Sequence, residues 1–295
     1  MFKTISLKNI KPAEAQNYLQ HAIGPRPICF ASTIDLKGNV NLSPFSFFNL
    51  FSTNPAIVVF SPSRRARDNT TKHTLQNILE VPEVVVNIVS YDMVQQTSLA
   101  SCEYPKGTDE FIKTGFTKIP SQIIKPPRIK ESPVQMECKV LEVKPLGTEG
   151  GAGNLVIAEV LIMHINENIL NENGNIDQTK LDLVARLGGN WYTRANTATI
   201  FEVEKPNTQL GIGVDALPEN IRHSKILTGN NLGQLANVNE PPFVDPAFED
   251  DKLKNIFQYY SLDPEEMEKE LHLYAKELLD IGKVKEAWQI LLALN

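Results

Sequence analysis

Two short segments between Ser43 and Thr74 carry the side-chain types most suited to holding a ligand. The first, Ser43-Pro-Phe-Ser-Phe-Phe-Asn49, places hydroxyls, an amide and three phenyl rings on one stretch. The second, Ser61-Pro-Ser-Arg-Arg-Ala-Arg-Asp-Asn-Thr-Thr-Lys-His-Thr74, interleaves Arg64, Arg65, Arg67 and Lys72 with Ser61, Ser63, Thr70, Thr71 and Thr74. A helix expected to start near Thr71 adds free backbone N–H groups and a partial positive charge. An anion there would gain charge-assisted hydrogen bonds from several directions; taken alone, the same residues fit a solvated basic loop ahead of a capped helix equally well. Upstream, backbone N–H groups near Ser46 to Phe48 could face the polar edge of a planar ring, with Asn49 adding its amide. The pair describes a ligand with an aromatic ring at one end and a phosphate at the other, as in flavin mononucleotide (FMN). Core packing competes for Phe45, Phe47, Phe48 and Phe51, and at least two belong to the core because strand neighbours point to opposite faces.

Other chemistry has little support. His21, His73, His164, His223 and His272 are dispersed, with no His-x-x-x-His pair and no Cys-x-x-Cys, so no metal site is expected. His73 stands apart because it lies inside the basic segment. No nucleophile-elbow pattern supports a hydrolase. Gly147-Thr-Glu-Gly-Gly-Ala-Gly153 could cradle phosphate only if a helix followed it. An apolar strand-like run follows instead, so a flexible hairpin loop is the expectation.

The elements that must position these residues are mostly strands. Ile28 to Ile34 is β-rich, Asp35-Leu-Lys-Gly-Asn39 is a turn signal, and Val40 to Phe48 returns as the second arm. Ala56 to Ser61 and Val84 to Ser90 are short apolar runs. Pro133 to Pro145 alternates with period 2, the pattern of a half-buried strand, whereas Asn154 to Ile165 is apolar enough to be buried on both sides. Helices are expected over Thr71 to Val81, with Leu75, Ile78 and Leu79 on one face, and over Asp92 to Ala100 with Asp92 as N-cap. Such a mixture fits a barrel with attached helices better than a doubly wound sheet.

After about residue 204 the character changes. Residues 205–250 are rich in Asn, Pro and Gly and read as loop-like. Asp263-Pro-Glu-Glu266 then opens a helix, Met267, Leu271, Tyr274, Leu278 and Ile281 give it an apolar face, and Gly282 stops it. Val284, Trp288 and Leu291 begin a second helix, completing a hairpin expected to dock on the same chain's barrel, with a dimer or partner contact as the alternative. The division is therefore a domain over 1–204 and a C-terminal helical extension over 205–295.

A net charge of -6 argues against nucleic-acid binding, which needs a basic surface. No apolar run reaches the roughly 20 residues of a membrane span. Three widely spaced cysteines, Cys29, Cys102 and Cys138, read as reduced thiols, and a cytoplasmic location is expected.

Residues from about 20 to 200 resemble the flavin reductase-like family with the FMN-binding split-barrel fold, particularly its flavoredoxin-like branch. The resemblance rests on Gly24-Pro-Arg-Pro27, Ala31-Ser-Thr33, Asn41 to Asn49, Phe60-Ser61, Lys72 with Thr74, and Val86-Asn-Ile-Val-Ser90. Tyr104-Pro105 with Asp109-Glu-Phe111, Lys125-Pro-Pro127, Glu131-Ser-Pro133 and Ala185-Arg-Leu-Gly-Gly189 extend it. It implies a mainly β fold with helices: a six-stranded split β-barrel that forms a homodimer with non-covalent FMN at the subunit interface. It also implies that Ser46, Phe48 and Asn49 lie along the isoalloxazine and ribityl chain, and that Ser61, Lys72 and Thr74 take the phosphate. Arg64 joins the phosphate group through the basic run, and Arg26 and Asn87 are weaker transfers. The family often has Asp between the Lys and the Thr, where this chain has His73. Gly211 to Arg222, beyond a minimal family member, is either a cover over the flavin or a structural arm.

The leading expectation is an oxidoreductase in which NAD(P)H, a transient co-substrate, delivers hydride to N5 of FMN and a small molecule or protein accepts the electrons. The cofactor would carry the chemistry, which accounts for the lack of an acid–base pair. Two alternatives use the same residues: an FMN-holding electron-transfer protein without NAD(P)H oxidase activity, and a flavin-less split-barrel binding module.

Overall fold

The computed structural model describes residues 1–203, 205–206 and 210–294. It divides into two compact units, Met1–Phe201 and Glu202–Asn295. The boundary expected at residue 204 lies outside the described residues.

The first unit is built on one antiparallel sheet. Its strands are β1 (Cys29–Ile34), β2 (Val40–Phe45), β3 (Phe48–Thr53), β4 (Ala56–Phe60), β5 (Glu83–Ile88), β6 (Val134–Pro145) and β7 (Asn154–Ile165). They pair in the order β2-β1-β5-β6-β7-β4-β3. The arm expected over Val40 to Phe48, with a bend at Pro44, breaks instead at Ser46–Phe47 into β2 and β3, and the sheet has seven strands in place of six. That break also shapes the sheet. Phe45 and Phe48 are three residues apart, within about 11 Å of chain. Yet they belong to opposite edges of the sheet, which would stand about 29 Å apart if it were flat. The sheet must therefore curl until its edges approach, and it stays open there because β2 and β3 do not pair.

Period-2 alternation decides what each face buries. Cys29 and Ala31 point inward with Phe60, Val84, Val86 and Met136, while Ile28 and Phe30 point outward against Met93, Phe111 and Ile129. The β1–β2 turn is held by Asp35, whose Oδ1 accepts from the Lys37 and Asn39 N–H groups, and Gly38 supplies the φ of +87° the turn requires.

Four helices matter in this unit: α1 (Pro12–Ala22), α2 (His73–Glu80), α3 (Val94–Leu99) and α4 (Glu110–Thr114). In α2, Leu75 and Ile78 are buried as expected, but Leu79 is 68% exposed because it falls off the stripe that those two define. Asp92 makes no capping bond; it lies within a 3-10 turn, Tyr91–Met93, that leads into α3. The long strands differ in part from expectation: Val134, Met136, Cys138 and Val140 face the core as expected, but β6 is buried on both faces at its start and β7 is not buried on both sides. Residues Val134 to Cys138 of β6 are all buried, whereas Leu161, Met163 and Ile165 of β7 are exposed. A small three-stranded sheet joins Arg26–Pro27, Val184–Arg186 and Tyr192–Arg194.

The second unit is helical. Its main helices are α5 (Gly229–Ala236), α6 (Asp251–Tyr259), α7 (Pro264–Asp280) and α8 (Val284–Leu292). Asp263 caps α7 by accepting from the Glu266 N–H at 3.1 Å, and Gly282 turns the chain at a φ of +76°. Met267, Leu271 and Leu278 are buried, Tyr274 is half-buried, and Ile281 is exposed because the helix has already ended at Asp280. The segment expected to be loop-like supplies α5 and buries Leu217, Ile221 and Leu235 around Trp288, so the hairpin finds cover within its own unit.

Candidate functional site

The two chemistry-bearing segments meet. Phe48 of β3 pairs with Phe60 of β4, and the Phe47 carbonyl accepts from the Ser61 N–H at 2.9 Å. Ser61, which opens the basic loop, is thus a direct neighbour of the Ser46–Phe47 bend. On the other side, Ser43 of β2 lines a small cleft with Arg65, Lys72, His73 and Thr74. From Ser43 to Ser46 is about 10 Å of extended chain. One short stretch of chain therefore runs from the cationic cleft to the Ser46–Asn49 segment.

At the anion end the start of α2 is bare. Lys72 occupies its N-cap without a side-chain capping bond, and the N–H groups of His73 and Thr74 find no acceptor among the described residues. Such groups and the helix dipole favour an anion. Burial, reinforced by the Arg65 charge, holds the Lys72 ammonium below its ordinary pKa, and no carboxylate among the described residues lies within ion-pair distance of it. His73 is likewise pushed down by burial and by Arg65, Lys106 and Lys72, which keeps the imidazole neutral near pH 7. Thr74 is buried, and its hydroxyl donates to Asn41 Oδ1 at 2.8 Å, so its backbone N–H is what it offers. Asn41 in turn donates to the buried carboxylate of Glu110 at 2.9 Å, which ties α2 to β2 and α4.

The other cations are already committed. Arg64 folds back on its own loop, with Nε 2.5 Å from Asn69 Oδ1 and Nη2 2.6 Å from the Asn69 carbonyl. It braces the loop and does not face the cleft. Arg65 donates to Thr70 Oγ1 and to the Thr71 carbonyl, and both Arg65 and Arg67 pair with Glu103.

Two transferred residues fall elsewhere. The Arg26 guanidinium donates to the carbonyls of Gln20, Ile23 and Leu187, closing the end of α1 onto the small sheet. Asn87 is fully buried and accepts from the Ile129 N–H at 3.0 Å. Both help hold the fold together: the two Nη groups of Arg26 and the amide of Asn87 bond to backbone partners, while the buried Arg26 Nε has no partner among the described residues.

The ring end is open. Phe45 and Phe60 pack with ring centroids 5.2 Å apart and Phe48 leans on the same core, while Phe47, Leu50 and Phe51 are 44%, 58% and 68% exposed. Phe51 sits at a bulge between Leu50 and Ser52, which turns it out of the ladder. Ser46 is half-buried, and Asn49 is exposed with its side-chain oxygen accepting from the Leu50 N–H.

The glycine-rich loop has a role beyond joining β6 to β7. The Arg64 N–H donates to the Ala152 carbonyl at 2.8 Å, and the Gly151 N–H donates to the Arg64 carbonyl at 3.0 Å. A Cβ on Gly150 would stand 2.9 Å from the Ala66 carbonyl oxygen, so only glycine permits this approach. The loop is a brace for the basic segment. It joins β6 to β7 as the expected hairpin loop, and nothing in its spacing pointed to this partner.

A wider cleft of about 430 Å³ lies against the small sheet, lined by Tyr91, Gln95, Arg186, Asn190, Tyr192 and Arg194, among others. The Arg194 guanidinium lies 3.6 Å from the Tyr91 ring centroid, and Arg186 lies 4.5 Å from that of Tyr192. Neither Tyr91 nor Tyr192 belonged to a sequence motif. Among the described residues no cluster of His, Cys, Asp and Glu could hold a metal ion, and no helix is long and apolar enough to cross a membrane.

Known proteins with this architecture identify the family. The flavin reductase like domain matches residues 23–181, more than half of the chain, and the chain belongs to that family. An uncharacterised protein of Aquifex aeolicus is 38% identical over 171 residues, 58% of this chain and 85% of its own length. Nitrilotriacetate monooxygenase component B from Bacillus cereus superposes with a TM-score of 0.64 at 28% identity, over 69% of this chain and 99% of its own. Flavoredoxin of Desulfovibrio vulgaris shares the fold alone, with a TM-score of 0.52 at 19% identity over 69% of this chain and 97% of its own.

Proposed function

We propose that the barrel unit is an FMN-dependent oxidoreductase that takes its electrons from NAD(P)H. The observation that carries this reading is the bare start of α2 beside Lys72, joined through Ser61 and Phe47 to the open ring segment. Bound FMN would supply hydride and electron transfer at its ring system. The protein's part is to bind and orient. Lys72 and the N–H groups of His73 and Thr74 hold the phosphate, with Ser61 and Ser43 beside them. The Ser46 to Asn49 segment presents backbone donors and an amide to the ring edge. Phe48, fixed against the core, sets the depth at which a ring can sit.

The ring end is unfinished in one chain, and a second copy is the cover we assign to it. Phe47, Leu50 and Phe51 form an exposed apolar patch on an edge strand, a surface that proteins normally pair or protect. The reading is therefore a homodimer with flavin at the interface. Arg26–Pro27 lies against β3 and pairs with the strand bearing Arg186, which brings the arginine–tyrosine cleft to the ring end. Its stacked cations suit the diphosphate and rings of a nicotinamide coenzyme. Free Cys29, Cys102 and Cys138 suit a reducing, cytoplasmic setting.

The test is the visible spectrum of the purified protein, followed by anaerobic NADH or NADPH. A yellow protein bleached by either nucleotide is the expected result. A yellow protein that stays oxidised contradicts the reductase and leaves an electron carrier. A colourless protein with no response to FMN leaves a binding module.

A further inference from the structure

We propose that Glu103 is a built-in counter-anion of the phosphate cleft and sets how strongly the site prefers a phosphorylated flavin over an unphosphorylated one. The inference rests on the flavin reading above. Glu103 lines the cleft beside Arg65 and Lys72. Its oxygens reach two cations: Oε1 lies 3.4 Å from Arg65 Nε, and Oε2 pairs with Arg67 Nη2. Its charge also acts on Lys72, against the combined effect of burial and Arg65.

The partners differ in mobility. Arg65 is anchored through Nη1 to Thr70 Oγ1 at 2.9 Å and to the Thr71 carbonyl at 2.8 Å, so its guanidinium stays at the cleft. Glu110, the other carboxylate there, is fixed from inside by Asn41 Nδ2 and the Leu42 N–H. Burial pushes the Glu110 carboxyl above its usual range. The Glu103 side chain is 39% exposed and held by ion pairs alone. A phosphate dianion arriving at Lys72 and the start of α2 meets that carboxylate, and the two anions compete for Arg65. Phosphate binding is then an exchange in which Glu103 yields its cations. A flavin without phosphate makes no such demand.

Removing the charge should strengthen phosphate binding alone. The experiment titrates FMN and riboflavin into wild-type protein, Glu103→Gln and Glu103→Ala, following flavin fluorescence at low and high salt. Exposed charge pairs of this kind are modest, so FMN should bind roughly threefold to fivefold tighter to both variants, with riboflavin unchanged. The gain should shrink at high salt, where exposed charges are screened. An FMN-to-riboflavin preference that is unchanged or lower in the variants overturns the proposal. So does a gain confined to the Gln variant, since its amide and not charge removal would then be responsible. Wild-type protein that binds neither flavin contradicts the flavin reading itself, an outcome separate from the first two.

Discussion

At the anion end of the site most polar groups already hold one another: Thr74 to Asn41 to Glu110, Arg64 to Asn69, and Arg65 to Glu103. At the ring end, a few residues away, Phe47, Leu50 and Phe51 stand exposed and Asn49 bonds only to its neighbour. The contrast separates two jobs. An anion is recognised by donors whose geometry is set in advance, so that end must be rigid within one chain. A ring is held by apolar area, which can come from another surface. The first end is built by hydrogen bonds inside the fold, and the second is left exposed.

Removing the apolar patch should have the largest effect on this contrast. Leu50→Asp with Phe51→Asp should raise the dimer dissociation constant by about a hundredfold or more, since exposed aromatic anchors carry much of an interface. Analytical ultracentrifugation reads this directly, and a variant that still sediments as a dimer places the interface elsewhere. On the anion side, Gly150→Val should cost about 1–3 kcal/mol, because its Cβ would press on the Ala66 carbonyl. Thermal unfolding measures that cost, and a midpoint equal to wild type would show the brace to be dispensable.

Thr74→Val should cost about 1–2 kcal/mol, because it leaves Asn41 Oδ1 buried without its donor. The same change should leave the dimer constant alone, so a loss of dimer on this substitution would erase the distinction between the two ends.

The smallest effect concerns His73. Its folded pKa lies below the ordinary value of 6.5, so the neutral form is favoured by folding. Its contribution to stability is complete above about pH 6.5 and is lost as pH falls through the folded value. His73→Gln should flatten the pH dependence of the unfolding midpoint below about pH 6.5. A steeper dependence in the variant contradicts the sign.

Local chemistry made part of this legible from sequence. The β1–β2 turn, α2 and the hairpin of α7 and α8 follow from Gly, capping and periodicity signals that act over a few residues. A bend in the second arm was legible from Pro44, but its place at Ser46–Phe47 was not, because the residues from Val40 to Phe48 are β-rich on both sides of it. Arg26 and Asn87 came to the ligand by resemblance and Arg64 through the basic run, yet backbone groups across the fold engage the first two and Asn69 of the same loop engages Arg64. Glu103 carried no signal, since its partners are 36 and 38 residues away in the chain. β7 departs from the burial expected of it because its far half leaves the core.

The most direct test of a single site spanning both segments is an FMN titration of wild type beside Lys72→Ala, with riboflavin as the phosphate-free comparator. Losing one charge-assisted contact should weaken FMN binding about tenfold and leave riboflavin unchanged. Equal FMN affinity in the two proteins would contradict it.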